Sequence, residues 1–141
     1  INEGIAALDA LPELAAEKSG LEKGRDRLGQ AAMHLMQQGM GGEQDLPISH
    51  ACDVLSLFGD VIISIFLAEQ ARIALPKLQA MAASAGRQHT DVEWLASDSE
   101  AAFYARKVDN LRFFTHQVLP RTAGTLKVIT DTDRTVLNAV F

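Results

Sequence analysis

Few side chains in this 141-residue chain have the type and spacing that chemistry needs. His50 and Asp53 stand three residues apart, which puts two ligands on adjacent turns of one helical face and makes half of a metal site. The bundle version of such a site uses Glu-x-x-His pairs, and no Glu here is followed three residues later by His. His34 and His116 have no carboxylate or second His at helical spacing, so His50 reads as a polar residue in the first turn of a helix. Cys52 is the sole cysteine; a nucleophilic thiolate needs a basic neighbour to lower its pKa, and Cys52 is expected to be a small buried core residue. Gly39-Met40-Gly41-Gly42 is glycine-rich but follows a helix and carries no Lys-Ser or Lys-Thr pair, so it is not a phosphate loop. Asp109 lies three residues from both Arg106 and Arg112, the pattern of a solvated face with weak surface pairs. Asp60, set in the most apolar stretch, is expected to need a partner, an Arg from another helix or a backbone donor. A small-molecule or metal site around His50, Asp53 and Asp60 is a third reading, and no catalytic, cofactor-binding or metal-binding residue is assigned.

The elements that position these residues are helical. Leu14, Leu21, Leu28 and Leu35 recur every seven residues with Glu17, Lys18, Glu22, Lys23 and Asp26 between them, predicting a long helix over residues 11–38. Gly20, Gly24 and Gly29 each cost about 1 kcal/mol in a helix interior, so close helix contacts are expected at all three. A second helix is predicted over 47–83, with Ile48, Cys52, Leu55, Phe58 or Gly59, Ile62, Phe66 and Ile73 at helical spacing and Val54, Leu57, Val61, Ile65 and Ala68 on its other side. Such a helix, apolar all round, should be covered by neighbours on several sides. Pro76 should kink or break it near 72–76, and Gly86 should stop it. A polar connector with His89 and Trp94 leads to Ser97-Asp98-Ser99-Glu100, spaced as a capping box, and to a third helix marked by Phe103, Lys107, Leu111, Phe114 and Val118. Pro120 should bend it on its way to about residue 129. Thr130-Asp131-Thr132-Asp133 reads as the cap of a short terminal helix or tail through Phe141. No segment alternates with period two, so the fold class is all-α: an up-and-down bundle of three long helices with a short C-terminal helix or tail, one domain over 1–141.

Composition narrows the function classes without choosing one. Hydrophobic residues make up 48% of the chain and charged residues 22%, which suits a globular domain with a real core and excludes intrinsic disorder. Thirteen Lys and Arg against eighteen Asp and Glu give a net charge of −5, which argues against a nucleic-acid surface. The lone cysteine cannot make an intrachain disulfide, pointing to a reducing compartment and the cytoplasm. Val61-Ile62-Ile63-Ser64-Ile65-Phe66-Leu67-Ala68, between Asp60 and Glu69, is short for a membrane span, so none is expected. The chain starts at Ile1 without an initiator methionine and reads as a piece of a longer protein.

Two segments resemble a known family: residues 50–75, with the core Leu55-Ser56-Leu57-Phe58-Gly59-Asp60-Val61-Ile62, and residues 104–120, above all Arg112-Phe113-Phe114 and Leu119-Pro120. They are similar to the extra C-terminal helical domain that follows the flavin domain in a bacterial branch of the acyl-CoA dehydrogenases, the branch that includes the 3-methylmercaptopropionyl-CoA dehydrogenases. Asp131, where the family favours glycine, and the tail to Phe141 depart from it. The resemblance implies a parent flavoenzyme of fatty-acid-type metabolism that uses FAD and oxidises an acyl-CoA thioester to the 2,3-enoyl-CoA. A glutamate takes the α proton, the β hydrogen leaves as hydride to the flavin, and an electron-transfer flavoprotein reoxidises the cofactor. The base, the flavin contacts and the substrate pocket belong to preceding domains, so this segment is expected to hold no FAD and to be non-catalytic. Its implied partners are the preceding flavin domain and, through self-association, a second copy. The competing expectation is a stand-alone helical module that self-associates or binds a partner through the Leu14 to Leu35 face.

Overall fold

The leucine repeat of the first long helix closes against the rest of the chain. Leu14 and Leu21 are fully buried, and Leu28 and Leu35 pack on a second small cluster formed by Ala31, Leu57, Val61 and Ile129. In the computed structural model, which describes residues 1–43, 45–131, 134–135 and 137–138, that helix is α2 (Ala15–Met40). It is preceded by α1 (Asn2–Ala6) and by two tight turns of 3-10 helix, Ala7–Ala10 and Pro12–Leu14, rather than running unbroken from residue 11. Pro12 sits at the start of the second turn, where its missing N–H costs nothing. At the far end α2 stops at Met40, and Gly42 takes φ +89°, a conformation glycine adopts freely.

The predicted second helix divides. A short α3 (Asp45–Ser49) is followed by α4 (Ala51–Ser84), with the break at His50. Pro76 does not interrupt α4, which continues through it to Ser84 and ends before Gly86 at φ +65°. The connector contains a helix of its own, α5 (Val92–Ser97), whose first turn is capped by the Asp91 carboxylate accepting from the backbone N–H groups of Glu93 and Trp94. The next helix, α6 (Ser99–Phe113), is capped by Asp98, which accepts from Glu100 and Ala101. Ser97 is therefore not the cap of the expected box; its hydroxyl donates to the carbonyl of Trp94 at the end of α5. Two helices meeting at this corner leave the extended residue, Asp98, as the cap.

Beyond Phe113 the chain winds through a π-helical turn (Phe114–Val118) and a 3-10 turn (Leu119–Arg121) before α7 (Thr122–Thr130). Pro120 is the reason the third helix cannot pass straight through. No strand occurs among the described residues, so the all-α class holds; α2, α4 and α6 are the long members, with short helices and turns between them that the sequence reading did not separate. The expected cap at 130–133 and the terminal helix lie largely outside the described residues.

The most extensive contact is α4 on α6. Ala68, Ala71, Ala74 and Leu75 of α4 meet Val108 and Leu111 of α6, with Leu8, Leu14 and Leu21 closing the same core. The small side chains of α4 let α6 approach closely, and larger ones fill the remaining space. Close approach also explains two of the three α2 glycines. A Cβ on Gly20 would fall 2.3 Å from Thr115 Cγ2 in the π turn, and one on Gly24 would fall 3.3 Å from Leu119 Cδ2. Gly29 has open space around it, contrary to expectation.

These positions should separate by sign in a denaturant titration. Gly20→Ala forces apart a β-branched side chain that is itself buried and should lower stability by about 1–3 kcal/mol. Gly29→Ala meets nothing and should raise it by up to about 1 kcal/mol. Equal midpoints for the two variants would contradict the α2–π-turn contact.

Candidate functional site

The residues that looked chemical in the sequence do not converge. His50 Nδ1 lies 3.4 Å from Asp53 Oδ2, and its Nε2 is buried without a partner among the described residues. Asp60 makes no hydrogen bond or ion pair there either, because the stretch around it is not covered: Phe58 and Ile63 beside it are exposed and its carboxylate reaches solvent. The partner expected for it is absent. Cys52 is exposed rather than in the core, on the uncovered side of α4. No three His, Cys, Asp or Glu side chains among the described residues are grouped to hold a metal. His34 reaches only Gln38, at 3.4 Å. Asp109 Oδ1 is 3.9 Å from Arg112 Nη1 and forms no ion pair with Arg106.

The polar cluster that does exist uses residues the spacing did not single out. Glu13, in the turn before α2, accepts a hydrogen bond through Oε1 from Arg112 Nη2 at 2.9 Å and lies 3.0 Å from His89 Nε2, while Oε2 accepts from Gln79 Nε2 at 3.2 Å. One turn on, Glu17 is only 4% exposed; its Oε1 lies 3.4 Å from His116 Nε2 and 3.9 Å from Arg112 Nε. Two carboxylates at the entrance of α2 thus tie together α4, the connector, α6 and the π turn. The expectation that His116 lacks a carboxylate held only within its own helix; its partner comes from 99 residues away. A pocket of about 210 Å³ opens beside Glu13 over Leu75, Leu78, Leu95 and Val108. Both oxygens of Glu13 are already engaged, so the arrangement has no free base and works as a clasp. Burial acts to raise the Glu13 carboxyl, but the hydrogen bonds from His89 and Arg112 outweigh it and hold it below its ordinary value.

The other feature is an uncovered apolar ridge. Leu55, Phe58, Phe66 and Ile73 are exposed along one side of α4, with Ile62 among them half-buried, the stripe expected to be covered by neighbours; Leu55 is 71% and Phe66 65% exposed. The covered side is instead Leu57, Val61, Ser64, Ala68, Ala71 and Leu75. Next to the ridge a shallow groove of about 270 Å³ runs between Gln70, Ile73 and Ala74 of α4 and Phe103, Tyr104 and Lys107 of α6. Phe103 meets Tyr104 edge to face at 5.5 Å, and Lys107 and Lys77 lie over the two rings at 5.1 and 5.4 Å. By length and composition α4 could cross a bilayer, which the short apolar run in the sequence understated. Its other face carries the core of the bundle, so those properties do not by themselves indicate a span.

The model of the family described as acetyl-CoA dehydrogenase C-terminal like matches residues 1–139. The chain belongs to this family. No curated protein and no solved structure matches it.

Linkage sets how the clasp responds to acid. A carboxyl whose pKa is lower folded than unfolded adds stability that is fully present above its ordinary value of 4.5 and disappears as pH falls through the depressed value. Glu13→Gln should therefore be less stable than the parent at neutral pH, and its urea midpoint should fall less steeply below about pH 4.5. Parallel acid limbs for the two proteins would show that Glu13 is not held by His89 and Arg112.

Proposed function

We propose that this domain is the non-catalytic C-terminal part of an FAD-dependent acyl-CoA dehydrogenase, of the branch that includes the 3-methylmercaptopropionyl-CoA dehydrogenases. It packs through the α4 ridge onto the preceding flavin domain. The parent enzyme oxidises an acyl-CoA thioester to the 2,3-enoyl-CoA in the cytoplasm, and this segment covers or braces the catalytic helices without touching the reacting atoms. The observation that carries the reading is the open ridge in a chain of this family: Leu55, Phe58, Phe66, Ile73 and the adjoining Phe103 leave on the order of several hundred Å² of apolar surface in contact with water, at the upper end of what a monomer tolerates. A C-terminal domain has one neighbour always at hand, the domain before it in its own chain. The leucine face that motivated a stand-alone module is spent inside the bundle, where Leu14 and Leu21 are buried.

The isolated 141-residue chain should bind no FAD and show no acyl-CoA oxidation, and Phe66→Asp in the complete dehydrogenase should loosen the domain, seen as faster proteolytic release, while the same change leaves the isolated chain as stable as before. Stoichiometric flavin in the isolated chain would overturn the assignment. A discrete dimer of the isolated chain, abolished by Phe66→Asp, would assign the ridge to a second copy instead.

A further inference from the structure

Past Arg27 the outer side of α2 changes character. Residues 28–42 hold no Lys, Arg, Asp or Glu, in a chain where such residues make up 22% of the total. Three of the chain's four methionines fall in this run, Met33, Met36 and Met40, and all three stand in water, Met40 to 82%. At about 100° of rotation per residue, Gly29, Met33, Met36 and Met40 lie within about 60° of one another, opposite Gly24, Ala31 and Leu35, which face the bundle. Loss of charge together with gain of methionine is the composition of the centre of an interface, not of a solvated helix face.

Gly29 belongs to the same face. A glycine there costs helix stability, and a Cβ at this position would meet nothing within 4 Å, so no contact inside the bundle requires it. Seen from outside it is a hollow one side chain deep. The four positions are spaced symmetrically: Met33 follows Gly29 by four residues, Met36 follows Met33 by three, and Met40 follows Met36 by four. A two-fold axis at the midpoint of Met33 and Met36 therefore sets Met33 against Met36 of a second copy, and sets the protruding Met40 into the hollow at Gly29 of that copy, twice over. A contact of this isologous kind is self-complementary. At its rim the Arg25–Asp26 ion pair of one copy comes beside the Glu43–Arg134 ion pair of the other, so no net charge is brought together, and the antiparallel helix dipoles oppose each other favourably.

We propose that the methionine face of α2 is an interface between two copies of this chain, packed antiparallel about a two-fold axis at Met33 and Met36. A strongly charged partner finds nothing on this face to pair with, whereas an identical face supplies both the apolar surface and the hollow. Three turns of helix bury on the order of a few hundred Å² per copy, less than the roughly 800 Å² of a standard stable complex, so the contact is reversible and dissociates on dilution. The inference does not depend on the α4 ridge or on its docking partner.

The test is sedimentation equilibrium of the chain between about 10⁻⁶ and 10⁻³ M. The parent should pass from monomer to dimer and no further, and Phe66→Asp on the ridge should leave that transition unchanged. Gly29→Met fills the hollow and Met40→Gly removes the side chain that enters it; both positions are exposed, so the fold should tolerate either change. Each alone should weaken dimerisation by about tenfold or more. Mixed in equal amounts, the two single variants should form a heterodimer about as strong as the parent dimer, because each copy supplies at both ends what the other lacks. A chain that stays monomeric throughout, association that continues past the dimer, a dimer lost with Phe66→Asp, or single variants that dimerise as the parent does would each overturn the proposal. Single variants that weaken the dimer but do not recover it on mixing would overturn it too, since Met40 would then not be facing Gly29 across a two-fold axis.

Discussion

The close contact of α4 with α6 is the constraint from which the rest follows. It is made by alanines, Ala68, Ala71 and Ala74, with Leu75 as the large residue among them, so the two backbones approach and Val108 and Leu111 fill the space between. A helix has only so much circumference. With α6, α2 and α7 all on the side marked by Leu57, Val61, Ser64 and Ala68, no element among the described residues covers the side marked by Leu55, Phe66 and Ile73. The open ridge is thus a consequence of how the bundle closes, and the long apolar composition of α4 reflects two interfaces written into one helix.

The clasp belongs to the same geometry. Gln79, His89 and Arg112 are brought to Glu13 because α4 and α6 are antiparallel neighbours joined through a short connector, and the entrance of α2 crosses their end. Individually such partly exposed pairs contribute little. Their use is to fix where the chain enters α2, and a carboxylate as buried as Glu17 can sit there only because His116 and Arg112 come to it from the far part of the chain.

Periodicity made the helices and their breaks legible where the local physics is strong. The leucine repeat put α2 in place, the glycines near 41 and 86 stopped helices where they were expected to, and Pro120 redirected the chain. It misjudged residues whose state depends on what stands opposite. Cys52 and Phe66 have the composition of core residues, and only the course of α6 and α7 decides that they face out. Pro76 was expected to kink or break α4, but the helix is continuous through it: a proline's cost is local, and Ala74 and Leu75 before it and Leu78 and Ala82 after it are buried in the bundle. The polar cluster was illegible for a different reason: Glu13 and Arg112 are 99 residues apart, and no spacing rule within one helix pairs them. The family resemblance at residues 50–75 and 104–120 fell on the helices that form the main contact, and the family, though not the particular branch, is the one whose model matches residues 1–139.

The π turn shows how one local irregularity is held by two opposite demands. Pro120 prevents a regular helix from running on, and Thr115 must pass so close to α2 that only glycine fits at position 20. A regular turn would still leave room to pair a threonine hydroxyl with a carbonyl one turn back, as Ser64, Ser84 and Thr130 do in their own helices. Thr115 has no such bond: the contact that sets its methyl against Gly20 leaves the hydroxyl buried without a partner among the described residues, a cost that the packing of the π turn on α2 has to offset.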